Sequence, residues 1–269
     1  MPTFYAVIGA SRGIGLEYVR QLAARNDTVV FSVVRNKQRS THLFAAASGL
    51  SNVHVIEGDV VDHKSMERAA REIATISGGK LDFLIHNAAK LETPQVYRGF
   101  YDYSNMDELD ADFIDSFKIN ALGVVHSIAA FVPLLRVGDA KRIVVISTGG
   151  ADPQTVFHAG IGDMAAYGIT KAAAVMVATK WANKLKDDGF VVVSLAPGLV
   201  DTTGTIGESG DPEAHALLMK AKEQLHASGH KIQLQTPEES VKMQIDLIDG
   251  LKSSHNGAFL SHTGRSFLD

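Results

Sequence analysis

Short runs of apolar, mostly β-branched residues alternate with longer stretches of helical periodicity along the whole chain. The runs are Phe4–Ile8, Thr28–Val34, Val53–Glu57, Leu81–His86, Arg142–Thr148, Phe190–Leu195 and Ala258–Leu260. Most lack polar alternation, which marks strands covered on both faces. The helical segments are Gly13–Arg25, Lys37–Ala47, His63–Ser77, Asp107–Val137, Met164–Lys186, Pro212–Ala227 and Pro237–Gly250. The last has a legible start, with Thr236 as N-cap, Pro237 in the first helical position and Glu239 closing a capping box. This order builds βαβ units. It predicts an α/β fold: a doubly wound sheet of about seven parallel strands with helices on both faces. No repeat, low-complexity tract or Pro/Ser-rich linker divides the 269 residues, so one domain over 1–269 is expected.

Composition removes several function classes. The chain has no cysteine, which excludes a thiol nucleophile, an iron–sulfur cluster and a cysteine zinc site, and fits a reducing, cytoplasmic setting. With 26 basic and 30 acidic residues and no block of like charge, it carries no nucleic-acid footprint. Met1-Pro2-Thr3 leads directly into the first apolar run, and no stretch reads as a secretory signal or a membrane span of about 20 residues. A soluble protein without a membrane partner is expected.

The first run ends in Gly9-Ala10-Ser11-Arg12-Gly13-Ile14-Gly15 and passes straight into a helix. A strand–turn–helix of small residues lets backbone N–H groups approach a phosphate at the helix N-terminus. The spacing is G-x-x-x-G-x-G rather than the more usual G-x-G-x-x-G. The same residues also read as G-x-S-x-G, the turn that presents a nucleophilic serine in α/β hydrolases, with Ser11 in that role. A serine on the first strand has no preceding loop to supply an oxyanion donor, and Arg12 beside it suits a phosphate better than an acyl group. About 20 residues after the glycines, NAD-binding folds place an acid on the ribose, whereas NADP binders place an arginine. Here the second strand ends Val34-Arg35-Asn36-Lys37, without an acid. Arg35, helped by Arg12, would meet a 2′-phosphate through charge-assisted hydrogen bonds, which makes NADP(H) the expected cofactor.

Tyr167 and Lys171 stand four apart on a predicted helix, hence on one face. A fixed cation favours the phenolate and lowers the phenol's pKa, which makes a tyrosine usable as a proton donor to a carbonyl. Alone, such a pair is an ordinary feature of helix surfaces. The wider set of motifs resembles the short-chain dehydrogenase/reductase family over nearly the whole chain. Gly9, Ser11, Arg12, Gly13, Ile14 and Gly15 look like its cofactor turn, with Arg35 and Asn36 at the next strand end. Asp59-Val60 is similar to its adenine-contacting pair, and His86-Asn87-Ala88-Ala89 to its Asn-Asn-Ala-Gly turn. Asn120 matches the helix asparagine that holds a proton-relay water, and Pro197-Gly198-Leu199-Val200-Asp201-Thr202 the segment that meets the nicotinamide carboxamide.

The resemblance implies a Rossmann-like domain that reduces a ketone or aldehyde with NADPH. Tyr167 would donate the proton, Lys171 would lower its pKa and bind the nicotinamide ribose, and a hydroxyl at the end of the fifth strand would orient the carbonyl. The family's second serine at that place is Thr148 here, with Ser147 as a close rival. Side chains alternate along a strand, so only one of the two should face the site. Ile8, His86 and Ala89 also depart from the family's pattern. Lys90–Met106, with Tyr97, Phe100, Tyr101 and Tyr103, the insertion between Thr148 and Tyr167, with Phe157, His158 and Met164, and a lid over 203–236 should wall an apolar or aromatic pocket. The tyrosines serve equally well in loop packing or a subunit contact. His226 and His230 have ligand-like spacing but no third partner nearby, so no metal is expected. The helices Asp107–Val137 and Met164–Lys186 correspond to those through which the family forms homodimers and homotetramers. A cofactor-binding sensor, or a scaffold for isomerisation or cyclisation, is the rival reading on the same fold.

Overall fold

The computed structural model describes residues 2–227 and 233–267. The strands are β1 (Thr3–Ile8), β2 (Thr28–Val34), β3 (Val53–Glu57), β4 (Phe83–His86), β5 (Arg142–Ile146), β6 (Val191–Ala196), β7 (Leu199–Val200), β8 (Leu234–Gln235) and β9 (Phe259–Ser261). The helices are α1 (Gly13–Ala23), α2 (Thr41–Ala47), α3 (His63–Ser77), α4 (Met106–Phe117), α5 (Gly123–Val137), α6 (Pro153–Ala159), α7 (Ala165–Leu185), α8 (Pro212–Ala227) and α9 (Pro237–Asp249). Seven strands form one parallel sheet in the order β3-β2-β1-β4-β5-β6-β9, while β7 and β8 pair separately.

Alternation within the apolar runs gives the sheet its two faces. Ala6 and Ile8 of β1 pack with Met66, Ile73, Val124, Ile128, Phe131 and Ala178, from α3, α5 and α7. Tyr5 and Val7 face Leu16, Val19, Leu22, Val241 and Ile245, from α1 and α9. Both faces are buried, so an almost continuous Val/Ile run is what each strand needs. The chain leaves β1 toward β2 and β3, then returns to β4 on the other side. Strand order reverses there, and the crevice beyond the C-terminal ends of β1 and β4 is where open α/β sheets bind ligands.

Element ends follow local hydrogen bonding. Helix α9 opens with the capping box, Thr236 accepting from Glu239 N at 3.2 Å and Glu239 Oε2 accepting from Thr236 N at 3.0 Å. Helix α2 starts at Thr41 rather than Lys37, because Asn36 Oδ1 accepts from Arg39 N and Asn36 O from Ser40 Oγ, closing a turn first. Strand β5 stops at Ile146, because Thr148 caps a short turn over Gly149–Ala151. Helix α6 lies in the segment read as an insertion; Asp152 caps it and Pro153 occupies its first position.

The segment Asp107–Val137 is not one uniform helix: a π turn at Lys118–Leu122 separates α4 from α5. Contrary to the absence of any candidate span expected from sequence, Met106–Val137 is long and apolar enough to cross a membrane by length and composition. Val124, Ile128, Phe131 and Leu135 are fully buried in the protein's own core, the role of a central helix in an α/β domain.

Candidate active site

The glycine turn is built on contacts that leave no room for side chains. Gly9 has φ +83°, and a Cβ there would lie 2.7 Å from Ala88 Cα. A Cβ on Gly15 would lie 2.1 Å from Gly9 O and 2.6 Å from Asn87 Nδ2. Asn87 holds the two strand ends together, its backbone N donating to Ile8 O and its Nδ2 to Gly9 O, both at 3.0 Å. Helix α1 begins at this turn with no side-chain cap from Arg12 and no acidic residue in its first turn, so no carboxylate of its own neutralises its positive end. Arg12 is partly buried there, and its pKa is lowered first by burial and then by Arg35, with Glu92 opposing. Arg12 at the start of α1 and Arg35 after β2, beside a helix whose first turn carries no acid, are a donor set suited to phosphate. The residues therefore fit a phosphorylated dinucleotide.

The other residues expected to meet the cofactor follow the C-terminal ends of the parallel strands. Asp59 ends the β3 side, its Oδ1 accepting from Val61 N and its backbone N donating to Ser65 Oγ. Val60 is buried, and its carbonyl accepts from His126 Nδ1 at 2.8 Å. Asn36 lies beside Arg35 and is engaged in its own turn. Ser11 and Ile14 lie on the turn itself, and Ala88 and Ala89 continue from Asn87. On the far side, Pro197 O accepts from Ser240 Oγ, while Val200 pairs with Gln235 across β7 and β8. The chain then folds back over the glycines: Thr202 packs 3.2 Å from where a Gly13 Cβ would be, and Thr205 Oγ1 accepts from Gly13 N at 2.9 Å. His42 Nε2 donates to Gly207 O at 2.8 Å, pinning the same segment to α2.

Tyr167 and Lys171 occupy the first turns of α7, beside the end of β5. Lys171 is 2% exposed, and its Nζ donates to Ile146 O. Burial brings its pKa down to about 8. Tyr167 is half-buried, and burial pushes its phenol upward, so the hydroxyl keeps its proton at neutral pH. Sequence reasoning expected Lys171 to draw the phenol down; in this arrangement burial dominates the phenol, and Lys171 is committed to a carbonyl. Asn120 sits in the π turn, 1% exposed. Its Oδ1 accepts from Lys90 N at 2.8 Å, and its Nδ2 donates to Thr170 Oγ1 at 2.9 Å. It thereby ties the loop after β4 to α7 beside Tyr167.

The two hydroxyls at the end of β5 differ in setting. Ser147 is 1% exposed, and its Oγ is buried without a partner. Thr148 is half-buried and accepts from Gly150 N at 3.2 Å, which leaves its hydroxyl hydrogen available. His86 is fully buried, with Nδ1 against Ser127 Oγ at 3.1 Å. Burial, reinforced by Lys171, lowers its pKa to about 3.

The expected aromatic wall is only partly present. Tyr101 is 100% exposed and Phe157 84%, whereas Tyr103 donates its hydroxyl to Asp112 at 2.7 Å. Close to Tyr167 the lining is polar, with Lys90, Glu92, Gln95 and Asp112 bordering a small cleft. Lys90 Nζ is tied to Asp112 at 2.9 Å and Asp115 at 2.7 Å, so its charge is balanced. Lys90, Thr170 and Thr205 do not stand out in the sequence; each hydrogen-bonds a partner far along the chain and carries no local motif. Of the histidine pair, His230 lies outside the described residues.

Known proteins share this fold. A family model described as short chain dehydrogenase matches residues 4–213. The chain is 36% identical to the short-chain dehydrogenase/reductase atnB of Arthrinium sp, over 97% of each chain. It is 35% identical to the short-chain dehydrogenase/reductase AacuF of Aspergillus aculeatus, over 98% of each. Among solved structures, it is similar in fold to an NADPH-bound carbonyl reductase from chicken fatty liver, with a TM-score of 0.77 at 24% identity, covering 98% of this chain and 93% of that one. The carbonyl reductase Sniffer of D. melanogaster gives a TM-score of 0.77 at 21% identity, covering 99% and 98%.

Proposed function

The chain belongs to the short-chain dehydrogenase/reductase family, and from that premise we propose that it is an NADPH-dependent reductase of a ketone or aldehyde. The observation that carries the cofactor choice is that β2 ends in Arg35 with no acid in Val34-Arg35-Asn36-Lys37, while Arg12 stands at the start of α1. Gly9, Gly13 and Gly15 would let the pyrophosphate approach the backbone, the two arginines would meet the 2′-phosphate, and Asp59 and Val60 would border the adenine. Asn87, Ala88, Ala89 and the segment from Pro197 to Thr202 would receive the nicotinamide end. When bound, the reduced nicotinamide supplies a hydride.

The protein's own groups supply the rest. Tyr167, kept protonated by burial, gives its proton to the carbonyl oxygen. Lys171, charged below about pH 8, would steady the phenolate left behind until a proton from solvent restores the phenol. Thr148 donates its free hydroxyl hydrogen to the same oxygen. NADP-bound structures of similar fold, among them ElxO and a short-chain dehydrogenase/reductase from Burkholderia multivorans, support NADP(H) as the cofactor. The retained Tyr167, Lys171 and Asn120 speak against a scaffold without turnover, and the phosphate setting of Ser11 against a hydrolase. The substrate we favour has an apolar or aromatic frame and a hydrogen-bonding group, since Val96 and Ala166 share the cleft beside Tyr167 with Glu92 and Gln95. Residues 203–236, of which 228–232 lie outside the described residues, would act as its lid, and the chain as one domain over 1–269.

The test is loss of NADPH absorbance with a panel of aromatic and polycyclic ketones and aldehydes. Turnover of any member above background supports the reading. Ester cleavage that depends on Ser11, with no NADPH consumption, would replace it by the hydrolase.

A further inference from the structure

Past residue 213, where the family match ends, the chain returns to the end of β6 and fastens the segment 196–201 from behind. His262 N donates to Ala196 O at 2.8 Å, and Ser240 Oγ to Pro197 O at 2.7 Å. Leu199 and Val200 pair with Leu234 and Gln235, and Asp201 N donates to Gln235 O at 2.9 Å. In the middle stands Gly198, with φ +87°, where a Cβ would lie 2.3 Å from Gln235 Nε2 and 2.8 Å from His262 Cε1. Those two side chains meet at 3.1 Å between their Nε2 atoms. Gln235 is 7% exposed, and each side chain keeps one buried polar atom without a partner, Gln235 Oε1 and His262 Nδ1. Polar atoms left unpaired in the interior are costly, and two side chains that each carry one while pressing on a single glycine call for a role.

We propose that Gln235 and His262 are positioning residues for the nicotinamide end of the cofactor, acting through Gly198 on the peptide groups of 198–200. The proposal rests on the reading above that this segment receives the nicotinamide. Its logic is one of division. The phosphate end is held by the glycine turn and the arginines, which neither residue touches, so loosening Gly198 frees one end of the cofactor and leaves the other bound.

The experiment titrates the full chain and its variants with NADPH and with adenosine 2′,5′-bisphosphate, which has the phosphate end and no nicotinamide. For His262→Leu and for Gln235→Leu, NADPH binding should weaken about tenfold while the bisphosphate stays within about twofold. The turnover number should fall about tenfold with the carbonyl substrate's KM unchanged. His262→Gln, which returns an amide to the place of Nε2, should recover NADPH affinity. His262 is less buried than Gln235, so its variants carry the test if Gln235→Leu does not fold. Equal weakening of both ligands, or weakening of neither, overturns the proposal while the cofactor reading stands. A wild-type chain that binds neither ligand overturns both.

Discussion

The two ends of the crevice hold their backbone in place by opposite means. At the glycine turn, position is fixed by what is missing: Gly9 and Gly15 approach Ala88, Asn87 and each other's backbone more closely than any side chain permits. At the segment 196–201, position is fixed by what presses on it: Ser240, Gln235 and His262 occupy the rear of an otherwise ordinary strand end. The first device is announced locally, by seven consecutive residues whose order can be recognised, although they close against Asn87 and Ala88. The second is assembled from residues about 35 to 65 positions away and leaves no signature in the segment it controls. The difference teaches which perturbations should abolish binding and which should only degrade turnover.

Gly15→Ala is the sharpest blow to the first device. Its Cβ would meet backbone, which has nowhere to go, so the turn must move. NADPH affinity should fall on the order of a hundredfold or more, measured by titration, since several backbone hydrogen bonds to phosphate go together. Retention of wild-type affinity would show that the glycines serve packing alone. Arg35→Ala comes next. Loss of one charge-assisted contact should weaken NADPH by about tenfold to a hundredfold and NADH by less than about threefold. Equal weakening of the two would remove the 2′-phosphate from the account.

The catalytic residues lie between the two ends and are sensitive to pH rather than to crowding. Lys171 is charged below about pH 8, so the turnover number for carbonyl reduction should hold at neutral pH and decline as pH rises through about 8. A flat profile from pH 7 to about 9.5 would contradict a role for the lysine's charge. The smallest effect concerns His86. Its imidazole stays neutral in the fold down to about pH 3, against an ordinary value of 6.5, so the unfolded chain takes up the proton first. Stability should therefore fall as pH drops below about 6.5, by about 1 kcal/mol per pH unit, and His86→Asn should lack that component. Urea midpoints at pH 7.5 and about 5.5 would check it; the same decline in both proteins would place the acid sensitivity elsewhere.

Much of the fold was legible because strand runs and helical periods are statements about nearest neighbours. Strands β2 and β3 and helices α3 and α8 fall where the sequence puts them. Misplaced ends have local causes that the pattern does not weigh: Asn36 closing a turn before α2, and Thr148 capping one after β5. Helix α6 did carry a start signal, Asp152 followed by Pro153. The π turn at Asn120 interrupts an otherwise regular apolar pattern, so periodicity runs straight through it. At the site, the glycines, Arg35, Tyr167 and Lys171 stand out as residue types in a motif. The polar cleft of Lys90, Glu92 and Gln95 does not, because nearby aromatics suggest a wall that Tyr101 and Phe157 in fact turn toward solvent.

The central claim, that Tyr167 gives the proton in a reaction whose cofactor is held elsewhere, is tested most directly by Tyr167→Phe. NADPH titration and carbonyl turnover would be measured on the same preparation. The account predicts NADPH affinity within about threefold of wild type and turnover lower by about a hundredfold to ten-thousandfold. Turnover that survives the change at the wild-type rate would contradict it.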